Sequence, residues 1–308
     1  MKAILSYLLL FFSIAVFAQE SNFIAKDIAI NKYIDGTLLT PKNNDKSILA
    51  IIIADSGPTD RNGNQNFQQN NALKQLSEQL SNKGIATFRY DKRIVKHIRN
   101  RTVDNTITFD DFISDATSVI DHFKSKNKYS KLYVIGHGQG SLIGMIASKD
   151  KVDGFISIAG SGLSIDRVII DQVSKMDSVL VAPTKRAFET LKKGKTTKDY
   201  PIALGSIFSK DVQPFMMSWM QYDPQKIIST LNAPILILNG TKDLLVPVEE
   251  AKLLAKASNN ASLSIIDNMN HVFFIIEGKE LENSKSYNEP FRKVSESLIN
   301  EITSFIFK

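Results

Sequence analysis

A carboxylate and a histidine stand in the last third of the chain, each following a strand-like apolar run. Asp243 follows residues 235–239, and His271 follows residues 263–266. Loops after parallel strands bring their side chains to one edge of a sheet. A carboxylate there can orient a histidine, which accepts a proton from a nucleophile. The pair therefore predicts a general base, and the nucleophile must come from another segment.

The turn expected to present this nucleophile lies in residues 131–143, KLYVIGHGQGSLI. A buried strand-like run leads into three alternating glycines and then into an amphipathic helix. This pattern is typical of the nucleophile elbow G-x-S-x-G of α/β-hydrolases, in which the central serine is exposed and strained. Here the centre is Gly138, which removes both the hydroxyl and the strain. The order elbow, Asp243, His271 is the order of the triad in that fold.

The three glycines allow two other interpretations. A dinucleotide-binding G-x-G-x-x-G needs glycine or alanine where Ser141 stands, and it belongs to the first strand of its unit, whereas other elements precede residue 131. A glycine turn without chemistry is the other alternative, and the presence of Asp243 and His271 argues against it. The elbow is therefore favoured.

An oxyanion hole, two amides aimed at a developing negative charge, completes such a site. The expected donors are the amide of Gln139 and the loop containing Ser56 and Gly57. Asp55 puts a carboxylate beside the place where the charge would develop, which raises the barrier unless its side chain turns away. Of the possible substitute nucleophiles, Ser56 lies on this loop, while Ser141 is expected to be a packing or capping residue.

Alternating strands and helices predict the fold that positions these groups, a doubly wound, mostly parallel α/β sheet of the α/β-hydrolase type. The expected strands are 27–30, 36–40, 47–54, 85–90, 132–135, 154–159, 235–239 and 263–266, and the expected helices are 72–81, 109–123, 141–148 and 290–307.

Residues 161–232 interrupt the alternation with a helical pattern rich in aromatic residues and methionine. We expect an inserted helical cap over the carboxyl edge of the sheet, where α/β folds bind ligands. Phe215, Trp219 and Tyr222 are its predicted substrate-binding residues. The alternative is that these side chains only anchor the cap to the domain.

The first 18 residues predict a signal peptide, with Lys2 as the charged region, 3–16 as the apolar region and a cleavage site that leaves Gln19 first. The apolar run is shorter than the ~20 residues of a spanning helix. The expected product, residues 19–308, is exported to the periplasm or outside the cell, without a stable membrane anchor. It has no cysteine for disulfides or lipidation.

The formal net charge of +6 comes from basic runs at 92–101, 124–131 and 192–198. Such runs are most often solvated faces, and none contains a recognised nucleic-acid-binding motif, so nucleic acid is not an expected partner. Oligomeric state is left open by the sequence.

Five separated blocks resemble the secreted α/β-hydrolases grouped with serine-aminopeptidase-like carboxylesterases. The blocks are DSGPTDRNGN at 55–64, RYDKR at 89–93, GHGQGSLIG at 136–144, VQPFMMSWMQYDP at 212–224 and ILILNGTKDLLVPV at 235–248, followed by the Asn-His pair at 270–271. The resemblance spans nearly all of residues 19–308. It implies hydrolysis of small acyl esters by serine at 138, aspartate at 243 and histidine at 271, with no metal or organic cofactor.

Three departures from that family bear on activity. Gly138 replaces the serine, Asp55 replaces a glycine, and residues 94–96 lack the usual glycines. Without the hydroxyl no acyl-enzyme forms, and little turnover remains. Two hypotheses follow. The first is a weak or non-catalytic relative that binds a small acyl or ester ligand under the cap, and the second is an active carboxylic ester hydrolase that uses water or another serine.

Overall fold

The computed structural model of the 308-residue chain describes residues 22–43, 48–102 and 104–308. The predicted signal peptide at 1–18, its cleavage site before Gln19, and position 47 of the third predicted strand lie outside the described residues. None of the described helices combines the length and the apolar character that a membrane crossing requires.

Eight described strands form one sheet in the order β1-β2-β4-β3-β5-β6-β7-β8. β1 and β2 form an antiparallel hairpin, β2 also pairs antiparallel with β4, and all other neighbours are parallel. The strands are β1 Phe23–Ala29, β2 Asp35–Pro41, β3 Ile48–Ile53, β4 Ala86–Tyr90, β5 Lys131–His137, β6 Gly154–Ile158, β7 Ile235–Gly240 and β8 Ala261–Ile266.

Helices of the described chain cover both faces of the sheet and form the connections between its parallel strands. They are α1 Ala72–Asn82, α2 Arg93–Arg99, α3 Phe109–Ser125, α4 Gln139–Ser148, α5 Ile165–Met176, α6 Val181–Lys192, α7 Gly205–Phe208, α8 Gln213–Trp219, α9 Pro224–Ile228, α10 Val248–Ala257, α11 Glu280–Ser286 and α12 Glu296–Ile306.

The central strand β3 shows why the two faces are covered. Its residues are all buried, and alternate side chains enter two separate apolar clusters. Ile51 belongs to the cluster that contains side chains of α3, α4 and α10, while Ile52 belongs to the cluster that contains side chains of α1 and α12. A run of branched residues without polar alternation is what a strand buried on both faces requires.

The main differences from the predicted elements concern the last helix and residues 92–101. The last helix begins at Glu296 rather than near residue 290, because the side chain of Ser295 caps it by accepting the amide of Leu298. The basic run at 92–101, which was expected to be a solvated face, contains helix α2, since Arg93 is paired with carboxylates of α3, namely Asp111 and Asp115. Opposite charges on a neighbouring helix therefore order this run.

Residues 161–232, here called the helical insertion, contain α5 to α9 between β6 and β7. The insertion has its own apolar cluster, which includes Phe188, Phe208 and Met216. It contacts the body of the domain through Trp219, whose ring stacks on Phe109 at a centroid distance of 5.3 Å. The insertion is thus packed both internally and against α3.

Candidate active site

Gly138 forms the sharp turn between β5 and α4. Its φ of 53° and ψ of −118° lie in a region that disfavours any residue with a Cβ. The following helix passes so close to β3 that a Cβ on Gly140 would overlap the backbone oxygen of Ile53, so only glycine permits this approach. The backbone therefore has the strand-turn-helix geometry that the glycine motif predicted.

The side chain of Asp55 fills the space beside Gly138. A Cβ built on Gly138 would overlap the Asp55 carboxylate, far inside van der Waals contact. The sequence left open whether this side chain turns away from the site, and the structure shows that it turns inward. A carboxylate from the loop after β3 therefore occupies the position that the Cβ of a nucleophilic side chain at position 138 would take.

Both oxygens of the Asp55 carboxylate accept hydrogen bonds within the site. Oδ1 accepts the backbone N–H of Gln139 at 2.7 Å, and Oδ2 lies 3.0 Å from Nε2 of His271. The Gln139 amide is the predicted oxyanion donor, and the chain's own carboxylate already uses it. An external oxyanion would have to displace Asp55 to reach this amide.

The structure brings Asp243 and His271 together. Nδ1 of His271 lies 2.9 Å from Oδ2 of Asp243, whose Oδ1 accepts the amides of Leu245 and Val246 at 2.8 Å each. These hydrogen bonds from backbone amides fix the Asp243 carboxylate at the carboxyl end of β7. His271 is thus held between two carboxylates, Asp243 on one ring nitrogen and Asp55 on the other.

Electrostatics favour the protonated imidazole. Burial would lower the pKa of His271, but the charges and hydrogen bonds of Asp243 and Asp55 outweigh it and raise the pKa to about 10. Burial would likewise raise the pKa of Asp55, yet His271 holds it well below its ordinary value. Ionised carboxylates only accept hydrogen bonds, so both ring nitrogens of His271 carry protons at neutral pH.

Two buried residues without a predicted role also belong to the site. Lys92 donates through Nζ to the backbone oxygen of Asp55 at 2.9 Å and to Oε1 of Gln139 at 2.6 Å. Burial lowers its pKa to about 8. His137, whose Nε2 lies 3.0 Å from the backbone oxygen of His271, has its pKa lowered by burial to about 4 and is therefore neutral. Lys92 ties the Asp55 loop to the elbow.

Asp55, His137 and His271 are also the described groups that could converge on a metal ion, since one donor atom from each lies within 4.8 Å of the others. A carboxylate with two imidazoles is a donor set that suits zinc. A cation there would have to replace the proton that His271 shares with Asp55. The distance between Asp55 and His271 already fits an ion pair between these two side chains, without a metal ion and without rearrangement.

The candidate substitute nucleophiles occupy different surroundings. Ser141 is fully buried, and its Oγ hydrogen-bonds to Oγ of Ser157 at 2.7 Å. Ser56 lines the cavity beside the elbow, and its backbone oxygen accepts the Thr59 hydroxyl at 2.6 Å. Gly57 continues this loop with a φ of 75° and lines a different cavity, of about 320 Å³. Ser141 is thus a packing residue, while Ser56 is accessible to a ligand.

A cavity of about 380 Å³ lies between the elbow and the helical insertion. Its walls are mainly apolar, with Leu142 from α4 and Leu163, Ile165 and Trp219 from the insertion, while Asp55, Gly138, Gln139 and His271 form its floor. This size and character are typical of a pocket for a small organic ligand.

The three predicted substrate-binding residues are placed differently. Trp219 lines both this cavity and a neighbouring one of about 320 Å³, whereas Phe215 lines only the second. Tyr222 is held away from both cavities because its ring packs on Phe109 and its hydroxyl donates to Asp110. Tyr222 therefore anchors the insertion, which was the alternative considered for these aromatic residues.

The mostly parallel sheet, the turn at Gly138 and the carboxylate-oriented histidine define an α/β-hydrolase fold, which confirms the predicted fold class. The chain is 26% identical over 272 residues to the esterase EstD of Thermotoga maritima, in an alignment that covers 85% of this chain and 63% of EstD. It thus spans less than two thirds of the length of that relative. No family model matches the chain.

Two solved esterase structures share the fold. Est1E from Butyrivibrio proteoclasticus superposes with a TM-score of 0.55 at 18% identity, covering 90% of this chain and 98% of that one. The Pyrococcus furiosus esterase Pf2001 gives a TM-score of 0.54 at 16% identity and covers 92% of each chain. These two structures show the shared fold, while the sequence similarity to EstD supports a relationship to esterases.

Proposed function

We propose that this protein is an esterase-type α/β-hydrolase relative that binds a small acyl or ester-like ligand beneath the helical insertion and does not hydrolyse it through an acyl-serine. One observation carries the proposal. The carboxylate of Asp55 occupies both the space of a side chain at position 138 and the amide of Gln139. An ester can enter the apolar cavity, but the elbow offers it no hydroxyl, and the Gln139 amide is already bound to Asp55.

The charge state of the site supports the same conclusion. A general base must be unprotonated, whereas the carboxylates of Asp55 and Asp243 keep His271 protonated. A tetrahedral oxyanion formed at the elbow would also meet the negative carboxylate of Asp55 at close range. Both effects oppose attack on a carbonyl carbon.

Ester hydrolysis through water or another serine is the second candidate, and the geometry supports it less. Ser141 is sealed in the core against Ser157. Ser56 lines the cavity, but Nε2 of His271, the ring nitrogen that would accept its proton, is hydrogen-bonded to Asp55. Activation of water requires the same base. Turnover by either route would therefore first require the ion pair between Asp55 and His271 to open.

Ligand binding is testable through Trp219, which is the single tryptophan of the chain and lines the cavity. Its fluorescence should shift and saturate on titration with 4-nitrophenyl esters or fatty acids of increasing length, while nitrophenol release stays at the buffer rate.

A matched pair of variants locates the binding. Val168→Glu places a carboxylate in the cavity wall and should weaken binding of fatty acids, whereas Val179→Glu changes a side chain that is 76% exposed and should not. A flat fluorescence response across the series, or equal effects of both substitutions, would refute binding at this place.

A further inference from the structure

Asp55 and Gly138 are complementary. The glycine provides the space that the carboxylate fills, and the carboxylate takes the hydrogen bonds to Gln139 and His271 that a side chain at the elbow would face. The site has therefore exchanged a hydroxyl on one segment for a carboxylate on another. The Asp55 side chain remains 16% exposed, and it lines the apolar cavity. A partly buried anion that is open to a ligand cavity and adjacent to a histidine is a candidate nucleophile.

We infer that Asp55 is a carboxylate nucleophile that attacks a saturated carbon bearing a halide, with a primary alkyl halide as the substrate class. The inference goes beyond the proposed function and rests on it only in using the same cavity for ligand entry. Oδ1 is fixed by the Gln139 amide, so the carboxylate is oriented before a substrate arrives.

The chemistry of a carboxylate selects saturated carbon over an ester carbonyl. Attack on an ester would form a tetrahedral adduct, from which the Asp55 carboxylate leaves more readily than an alkoxide, so the reaction would reverse before a mixed anhydride formed. It would also create an oxyanion while Asp55 occupies the Gln139 amide. Displacement at a saturated carbon creates no oxyanion, and an apolar cavity strengthens an anionic nucleophile by removing water.

The lining of the cavity selects the leaving group. Among the described residues that line it, Asp55 and His271 are the ionisable ones. In an in-line displacement the leaving atom lies opposite the attacking oxygen of Asp55, whereas Nε2 of His271 is bound to the Asp55 carboxylate itself. A leaving oxygen would need a proton there, whereas a halide leaves as a stable anion without one.

Each step balances. The Asp55 oxygen forms a bond to carbon as the carbon–halogen bond breaks, and the halide departs with the electron pair. The product is an alkyl ester of Asp55, which is neutral. His271 then faces one carboxylate, Asp243, instead of two, so the cause that raised its pKa is weakened and it releases its proton to solvent. The neutral imidazole is the base that hydrolysis of this ester requires.

Water can reach the ester from the other side of the site. A third cavity, of about 230 Å³, has partly polar walls, which include Thr59, Gln65 and Asn70, and Asp55 and His271 also line it. His271 takes a proton from water as the water attacks the carbonyl carbon of the ester, and the Gln139 amide stabilises the resulting oxyanion. The alcohol leaves with that proton. Asp55 is restored, and His271 regains its proton from it.

Trapping of the ester tests the inference. The variant His271→Gln lacks the base, and we expect hydrolysis of the ester to slow by about 100-fold or more. Incubation with 1-bromoalkanes from ethyl to octyl should add one alkyl group to the protein by intact mass, located on Asp55 by peptide mapping. Adding Asp55→Asn to this variant should abolish the adduct, whereas adding Asp171→Asn, a change at an exposed carboxylate, should not.

The unmodified protein gives an independent test that does not depend on a variant. During turnover in ¹⁸O-water the label should enter the Asp55 carboxylate, while the alcohol from the first turnover should be unlabelled. No adduct and no label across the series would overturn the inference, and so would an adduct on another residue. Trp219 fluorescence in the same samples separates the proposals, since binding without an adduct leaves the proposed function standing.

Discussion

Conversion of the site into a serine esterase requires two substitutions, because Gly138 and Asp55 share one space. In Gly138→Ser alone, the new Cβ overlaps the Asp55 carboxylate. The φ of 53° adds strain of about 1–3 kcal/mol for a residue with a side chain. We expect this variant to lose about that much unfolding free energy and to hydrolyse 4-nitrophenyl butyrate barely above buffer.

The double variant Gly138→Ser with Asp55→Gly should be a working esterase. Removal of the carboxylate gives the serine its space and frees the Gln139 amide. One oxyanion donor is worth about 100- to 1000-fold in kcat, so the double variant should exceed the single variant by a factor in that range. His271 also loses one of its two anions and can act as a base while Asp243 orients it.

Nitrophenol release and labelling by a serine-directed phosphonate measure this outcome. Asp55→Gly alone is the matched control, since it frees the amide without supplying a hydroxyl and should be neither active nor labelled. Equal rates for the single and double variants would show that Asp55 does not block the elbow. A folded double variant without activity or label would show that Asp243 and His271 no longer support acyl transfer.

Three further predictions concern charge, anchoring and export. The pKa of His271 is raised in the folded state to about 10, so the stabilisation from its ion pairs is fully present below about pH 6.5 and is lost as the pH rises through about 10. The difference in Tm between the natural chain and Asp55→Asn should therefore shrink over that interval. A gap independent of pH would contradict the ion pair. Lys92→Met leaves two acceptors without their donor and should cost about 1–3 kcal/mol in urea unfolding, against little change for the half-exposed Lys74→Met. We also propose that the protein is exported, so its intact mass from the cell envelope should correspond to a chain beginning at Gln19, and retention of residues 1–18 would refute this.

The doubly wound sheet and the placement of Asp243 and His271 were within reach of the sequence. Continuous branched runs such as residues 48–53 form strands only where both faces are covered, which leaves few arrangements other than a doubly wound sheet. The loops after β7 and β8 then bring the carboxylate and the imidazole to one edge of that sheet.

The direction of the Asp55 side chain was not within reach. The loop position of this carboxylate follows from the sequence, but whether it points to solvent or to the elbow depends on the space left at Gly138 and on the positive charge of His271. Both are tertiary features. Absence of a serine at position 138 was the available signal, because an empty elbow can receive a neighbouring side chain.

Lys92 and helix α2 were missed for a related reason. A basic run is usually solvated, and the sequence does not indicate that Lys92 is buried against the Asp55 loop or that Arg93 pairs with Asp115. Tyr222 shows the opposite case, an aromatic residue predicted to contact a ligand that instead donates its hydroxyl to Asp110. Such partners lie far away in sequence.

The protonation state of His271 shows whether an imidazolium lies between Asp55 and Asp243 at the elbow. Nitrogen-15 NMR of the labelled imidazole at about pH 8, where an unperturbed histidine with a pKa near 6.5 is neutral, reports this state. We predict that both ring nitrogens are protonated and that titration occurs near pH 10, with a marked downward shift in Asp55→Asn. A neutral ring that titrates near pH 6.5 and is unaffected by Asp55→Asn would contradict the account.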